Sequence, residues 1–288
     1  MSDFIATLVA PERLQPGDIS AACDAVGGVA GDIDGRWSVQ ISFPAFSGAR
    51  DVLEAALPHL DVIVRPADAP FPRLLVADMD STIITVECID ELADYAGIKP
   101  EVAAITERAM RGEIDFRAAL TERVALLAGL RETVIDDCLA ERVKAAPGAI
   151  ALVGTLACFH KVRCVLVSGG FTRFAQPVAD RYYFHAAVAN VLEIEGGVLT
   201  GRVLEPIIDS RAKLATLDAE CAALGITRQE VLAVGDGAND IPMLEAAGFG
   251  VAYHGHPHAV AAADAAIRHT HHGAILWALG IGIDEWCR

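Results

Sequence analysis

The chain reads as an α/β protein: a doubly wound parallel sheet with an inserted helical cap, preceded by a small ferredoxin-like α+β unit. Two observations predict this. From Leu74 onward, short unbroken apolar runs (LLVA, VRCVLV, VLAV and FGVAY) alternate with helix-period segments, the pattern of strands covered on both faces. The first 70 residues instead follow a β-α-β-β-α-β order, the ferredoxin-like arrangement.

Taken in order, FIATLVAP reads as a strand and ISAACDAVGG as a short helix ended by glycines. VAGDI supplies a further short strand. WSVQISFPA alternates like a half-buried strand, ARDVLEAALPHL is amphipathic, and DVIVRP is the last strand of the unit. ADAPFPR, with two prolines, is the linker, so the expected division is residues 1–70 and 71–288. Between the strands LLVA and VRCVLV lies a helical stretch too long for one crossover. GIKPEVAAITERAMRG has Pro100 at a helix start and Gly112 at its end. DFRAALTERVALLAG offers Asp115 as N-cap and Gly129 as stop. About residues 86–148 are expected to form a cap over the carboxyl ends of the strands. IIDSRAKLATLDAECAALG reads as a helix with Lys213 in its first turns. Pro177, inside FTRFAQPVADRY, should kink that helix or delay its start.

Composition narrows the function. The formal net charge of −16 disfavours nucleic-acid backbones and anionic membrane surfaces, while saying nothing against a small anion held in a local field. The longest uncharged apolar stretch, AILWALGIGI, is far short of the ~20 residues of a membrane span. No export signal is legible in MSDFIATLVAPERLQ. Seven scattered cysteines without a C-x-x-C pair fit reduced thiols in a cytoplasmic protein.

Three of the strands end in polar or glycine-rich clusters: DMDST, SGGFT and GDGAND. In an open α/β sheet the ligand sits beyond the carboxyl ends of the strands, so these clusters are expected to converge. A turn after LLVA lets Asp78 and Asp80 face one cavity, where one aspartate can attack phosphorus and the other can move protons. The same residues also suit a strand end that merely caps the next turn. Ser168, Gly169 and Gly170, between a strand and a helix, can form a nest for phosphate oxygens, or simply a tight turn. Asp236 and Asp240 bring hard carboxylate oxygens that suit Mg2+ beside Asp78. The alternating histidines of YHGHPH invite a zinc reading, but no fourth ligand is evident, and Gly255 and Pro257 mark a surface loop.

The order DMDST, SGG, a helical Lys, then GDGAND resembles the haloacid dehalogenase superfamily of aspartate-nucleophile phosphotransferases, over essentially all of residues 71–288. The resemblance implies Asp78 as nucleophile and Asp80 as general acid/base. It implies Ser168, Gly169 and Lys213 on the transferring phosphoryl group, with Asn239 near it. Mg2+ would be held by Asp78, Asp236 and the backbone carbonyl of Asp80, with Asp240 orienting that site. VECIDELA and Ser81 are similar to the phosphoserine phosphatase branch. There Glu87 would receive the substrate ammonium and Arg123 its carboxylate, with Met110 and Phe116 at neighbouring cap positions. The implied reaction is hydrolysis of O-phospho-L-serine to L-serine, the last step of L-serine biosynthesis. Two alternatives stay open: a phosphatase or phosphotransferase on another small phosphomonoester, with homoserine as an acceptor, and a catalytically silent amino-acid sensor. The N-terminal unit resembles an ACT-type domain, and a dimerising role for it leaves room for a homodimer.

Overall fold

A computed structural model describes residues 3–287. The N-terminal elements are β1 (Asp3–Val9), α1 (Pro16–Val26), β2 (Val29–Asp34), β3 (Ser38–Pro44), α2 (Ala49–Ala56) and β4 (Asp61–Pro66). They form a four-stranded sheet in the order β2-β3-β1-β4, with antiparallel neighbours throughout, which is the ferredoxin-like topology. One apolar cluster, with Leu8, Ile41, Leu53 and Val62 at its centre, holds the helices to this sheet. Val9 and Ile63 instead join the main core of the remaining chain.

That remaining chain runs β5 (Leu74–Ala77), α3 (Cys88–Tyr95), α4 (Lys99–Met110), α5 (Phe116–Ala125), α6 (Thr133–Glu141), α7 (Ala149–Gly154), β6 (Arg163–Phe171) and α8 (Thr172–Arg181). It continues through β7 (Ala186–Glu195), β8 (Val198–Leu204), α9 (Ser210–Leu224), β9 (Val231–Gly235), α10 (Ile241–Ala246), β10 (Phe249–Tyr253), α11 (Pro257–Ala262), β11 (Ala265–Ile267) and α12 (Gly273–Ala278). The seven-stranded sheet has the order β11-β10-β9-β5-β6-β7-β8, parallel except for the last pair. β5 is central and wholly buried. Leu75 and Ala77 face one apolar layer and Leu74 and Val76 the other, as the two-residue period of a strand requires. Each fully buried Leu or Val there contributes roughly 1.5–3 kcal/mol. Covering both faces leaves only the strand ends open. No described helix is long and apolar enough to cross a membrane.

Helices α3–α6 form the insertion between β5 and β6. Pro100 lies in the first turn of α4, and Asp115 caps α5 by accepting from the Ala118 amide at 2.7 Å. Arg142 gathers α6 to α3 through Glu91 (2.7 Å) and Asp94 (2.6 Å). The β7–β8 hairpin, which the sequence reading did not identify, turns on Gly196 and Gly197 with φ of 58° and 82°. Its β8 strand hydrogen-bonds the cap, with the Gly129 amide donating to Leu199 O and the Leu199 amide to Leu130 O, both at 2.8 Å. Two expectations need correction. Helix α8 starts at Thr172 with Pro177 inside it, so of the two expected outcomes, a kink or a delayed start, the delay does not occur. The Ser168-Gly169-Gly170 segment is not a strand-to-helix turn but the out-of-register end of β6, which resumes pairing at Phe171.

The two sheets are joined by a buried carboxylate. Asp61 is fully buried. Its Oδ1 accepts from the amides of Arg268 (2.7 Å) and His269 (3.1 Å), and its Oδ2 from the amide (2.9 Å) and hydroxyl (2.6 Å) of Thr270. Trp277 adds a second tie, donating its indole N–H to Asp34 at 2.6 Å. Beside this junction His272 is fully buried, donates Nδ1–H to Pro147 O at 3.2 Å, and stacks on Tyr253. Burial pushes its pKa from 6.5 down to about 3. The folded protein therefore resists a proton that the unfolded chain accepts below 6.5, and stability falls as pH drops from there toward about 3, by about 1.4 kcal/mol per pH unit. His272→Phe should be less stable than wild type at pH 8 by about 0.5–1.5 kcal/mol, because it removes the ring N–H bond to Pro147 O, which keeps only the bond from the amide of residue 272 at 3.1 Å. That gap should narrow as pH falls below neutrality, measured by urea unfolding at a series of pH values.

Candidate active site

The site is built where β5 and β9 end. The Asp78 amide donates to Val234 O at 2.9 Å, which fixes the end of β5 against β9 just before Asp236. The chain then turns tightly. The amides of Thr82, Ile83 and Ile84 all donate to Met79 O, and Ser81 is held at φ 52°, a left-handed conformation that L-residues rarely adopt. Such an over-determined turn keeps Asp78 and Asp80 on one side of the sheet edge.

Lys213 comes from the first turns of α9. Asp209 caps that helix by accepting from the amides of Arg211 and Ala212, both at 3.0 Å. The Lys213 side chain is fully buried, with Nζ 2.7 Å from Asp78 Oδ1 and 2.6 Å from Asp240 Oδ1. The contact to Asp240 is a directed hydrogen bond, whereas Asp78 Oδ1 has a charge beside it but no aligned donor. Asp240 Oδ2 accepts from the amides of Asp236 (3.1 Å) and Gly237 (3.0 Å), which sets the GDGAND loop. Carboxylate oxygens of Asp78, Asp236 and Asp240 lie within 4.8 Å of one another. Both oxygens of Asp240 are committed to Lys213 and the loop amides, so its part is to orient the other two.

The electrostatics follow from the geometry. Burial, then repulsion by Asp240, raises the Asp78 pKa well above the usual carboxylate range, and Lys213 only partly offsets this. Burial, then Asp240, pushes Asp236 up to about 7. Burial, then Glu87, pushes Asp80 up to about 7. Burial alone would lower Lys213, but Asp240 and Asp78 outweigh it and hold the ammonium above its ordinary value. One ammonium thus stands among crowded carboxylates, an arrangement that invites further positive charge.

The second strand end joins the same place. Ser168 is buried, and its Oγ accepts from the Gly170 amide at 2.8 Å. A Cβ on Gly170 would lie 2.6 Å from Asp80 Oδ2, and one on Gly169 would lie 3.0 Å from Phe116 Cζ and 3.7 Å from Asn239 Nδ2. A side chain at 170 would push on the Asp80 carboxylate and one at 169 would crowd Phe116, so bare glycines let the backbone lie this close to Asp80 and the cap. From the cap, Glu87 accepts from Ser81 Oγ at 2.6 Å. Arg123 makes no ion pair among the described residues and donates Nε–H only to Ala119 O, at 3.3 Å. Burial lowers its pKa, while Asp90, Glu87 and Asp80 pull the other way, which places its charge toward the same space. Met110 ends α4, and its side chain lies outside the described residues.

Eleven of the twelve expected side chains are described; of these, ten are tied to one space by distance or field, and Asn239 by its approach to Gly169. Sequence reasoning missed Thr82, fully buried, whose hydroxyl donates to Asp236 Oδ1 at 2.9 Å. Its signal was present: a hydroxyl placed immediately after the aspartate pair inside an apolar run. The Cys88 amide, 3.3 Å from Asp80 Oδ1, was also missed, because a backbone donor leaves no mark in sequence. The histidines of the 254–258 loop stand apart; His254 Nε2 pairs with Thr270 O at 3.0 Å.

Fold and site together define an α/β enzyme core with an aspartate–lysine centre at the carboxyl edge of its sheet. The sequence family described as haloacid dehalogenase-like hydrolase matches residues 75–245, and the chain belongs to that family. It is 44% identical over 229 residues to phosphoserine phosphatase SerB2 of Mycobacterium tuberculosis, covering 79% of this chain and 56% of that protein. It is 48% identical over 187 residues to phosphoserine phosphatase of Albidiferax ferrireducens, covering 63% of this chain and 78% of that one. The chain thus spans little more than half the length of the mycobacterial relative. The crystal structure of a probable phosphoserine phosphatase from Vibrio cholerae, unliganded, superposes with a TM-score of 0.81 at 33% identity, covering 99% of this chain and 88% of that one.

Removing the buried ammonium should expose the repulsion it contains. Lys213→Met is expected to lose about 3–5 kcal/mol of unfolding free energy at pH 8, since a buried charge cluster then lacks its partner. The deficit should shrink toward pH 5, where the carboxylates take up protons. Denaturant titration at the two pH values measures both effects.

Proposed function

We propose that the chain is a phosphoserine phosphatase, hydrolysing O-phospho-L-serine to L-serine and phosphate through a phosphoaspartate on Asp78. The observation that carries this is the Asp78–Asp80 pair on one rigid turn, one carboxylate beside a buried ammonium and the other with a pKa near 7. Relatives at 44% and 48% identity bear that name. In this reading residues 71–288 carry the chemistry, and residues 1–70 form an appended ferredoxin-like module.

Asp78 Oδ attacks phosphorus, and the P–O bond to serine breaks. Asp80, protonated below about 7, gives its proton to the departing serine oxygen. The resulting Asp80 carboxylate then takes a proton from the water that attacks the phosphoaspartate, restoring Asp78 and releasing phosphate. Ser168 Oγ, the Gly169 amide and Lys213 Nζ hold the phosphoryl oxygens, with Asn239 beside Gly169. Glu87 receives the ammonium of the substrate and Arg123 its carboxylate, a planar fork suited to bidentate contact. Phe116 lies on the cap side beside Gly169, and the family resemblance would add Met110 as a further cap residue. The cap excludes bulk water from the phosphoaspartate.

The donor set fits Mg2+: hard oxygens of Asp78 and Asp236 within 4.8 Å, a buried Asp78 Oδ1 without an aligned donor, and raised carboxylate pKa values that mark a deficit of positive charge. Asp78, Asp236 and the Asp80 carbonyl would hold the ion, with Asp240 and Thr82 fixing their orientation. When bound, it offsets the repulsion between the Asp78 carboxylate and the phosphate dianion.

Phosphate release from a panel of L-phosphoserine, phosphothreonine and sugar phosphates tests the substrate. L-Phosphoserine should lead, Asp78→Asn should abolish turnover, and Glu87→Ala and Arg123→Ala should erase the preference for an amino-acid end. Wild-type rates in Asp78→Asn would refute the mechanism. Metal entry offers a separate test. Asp236, near 7, must lose its proton to bind a cation, so Mg2+ binding at pH 6.5 should release protons, and fewer as pH rises. Calorimetry in buffers of different ionisation enthalpy reads that number. Thr82→Val should weaken Mg2+ affinity by about 10–100-fold.

A further inference from the structure

Asn190 lies in β7, fully buried, in a strand otherwise rich in alanine, valine and leucine (AAVANVLEIE). Asparagine is depleted from strands, and a buried carboxamide is costly unless its groups are satisfied. Here they are satisfied across the sheet edge. Nδ2 donates to Gly169 O at 2.8 Å and lies 3.4 Å from Ile208 O, while Oδ1 accepts from the Ile208 amide at 2.7 Å. The Ile208 amide can only donate, so it fixes which end of the carboxamide is oxygen.

The two segments it joins are those that grip phosphate in the function proposed above. Between Val167 and Phe171 the β6–β7 ladder slips out of register, so the backbone of 168–170 leaves the regular pairing. The side chain of Asn190, which is itself opposite Phe171, supplies the donor for Gly169 O at that gap. On its other side, Ile208 immediately precedes Asp209, the cap of α9, whose carbonyl accepts from the Lys213 amide at 3.0 Å. One carboxamide therefore sets the Ser168–Gly169 segment and the start of the Lys213 helix relative to each other. Asn190 touches none of the reacting groups directly.

We propose that Asn190 is a positioning residue for phosphoryl recognition, spacing the Ser168–Gly169 segment from Lys213 so that both meet the same phosphate. The inference rests on the phosphatase reading for its substrate but not for its readout, which is inorganic phosphate. Misplacing either gripper should weaken phosphate, while Glu87 and Arg123, on the cap, should bind the amino-acid end as before. A general loss of structure would not split the two.

The experiment compares wild type, Asn190→Ala and Asn190→Asp, with Mg2+ present, for binding of inorganic phosphate and of L-serine by calorimetry, alongside kcat and KM. Asn190→Asp keeps the shape and the acceptor but loses the donor toward Gly169 O. Both variants should bind phosphate about 10-fold more weakly or worse, with L-serine affinity within a factor of about two and kcat reduced. Thr155→Val is the control. It removes an equally buried hydrogen bond, from the Cys287 amide to Thr155 Oγ1 at 2.8 Å, away from the site, and should change neither affinity. If Asn190→Ala does not fold, Asn190→Ser, which keeps a hydroxyl donor, takes its place with the same expectation. Unchanged phosphate affinity, or equal weakening of phosphate and L-serine, overturns the proposal. Wild type that binds phosphate but leaves L-phosphoserine intact would instead overturn the substrate reading, and the phosphate comparison would still decide the role of Asn190.

Discussion

A single ammonium buried between two carboxylates is the constraint on which this molecule turns. Lys213 could reach its position only if α9 begins where Asp209 starts it, and Asp78 and Asp240 only if β5 and β9 end side by side. Three distant stretches of chain are thereby held to within hydrogen-bond distance in a buried region. Left to themselves, buried carboxylates would protonate or repel. With one cation in place they keep a residual demand for positive charge, which the proposed metal and phosphate ester would bear on. The parallel sheet makes this affordable, because its two apolar layers fix the strand ends independently of the charges.

The rest of the pocket is hung from that centre by backbone. Glycines at 169 and 170 let β6 approach Asp80 and Phe116 without a side chain intervening, and the β7–β8 hairpin props the cap through main-chain bonds to Leu199. The cap keeps its own charges mostly paired on the outside, as with Arg142 against Glu91 and Asp94. Arg123 feels Asp90, Glu87 and Asp80 but makes no ion pair among the described residues. That contrast is why the proposed function gives Arg123, and not Arg142, to the substrate.

Much of this was legible in sequence because it depends on local chemistry. Four apolar runs became the parallel strands β5, β6, β9 and β10, and Asp115 and Pro100 marked helix starts where expected. The acidic and glycine clusters met because strand ends in such sheets share an edge. What escaped was non-local or lacked contrast. The hairpin at Gly196–Gly197 sits between strands of mixed polarity, and its role is to pair with a cap loop some 70 positions away. Pro177 sits within α8, whose Phe174, Ala175, Val178 and Ala179 are buried, so tertiary packing outweighs the lost backbone bond. Thr82 and Asn190 looked like ordinary polar residues in apolar runs. Only their partners, Asp236 and Gly169, reveal what they hold.

The junction at Asp61 has a bearing on how the two sheets can be taken apart. Its carboxylate satisfies three consecutive amides that follow β11, and those amides have no strand neighbour to turn to if the ferredoxin-like unit leaves. Arg65, stacked over Phe249 at 4.5 Å, and Val9 and Ile63, sunk into the larger core, would leave bare hydrocarbon behind. The small unit is therefore mortised into the large one, and a gene fragment encoding the seven-stranded sheet alone would inherit a wet, unpaired scar beside its β11 edge.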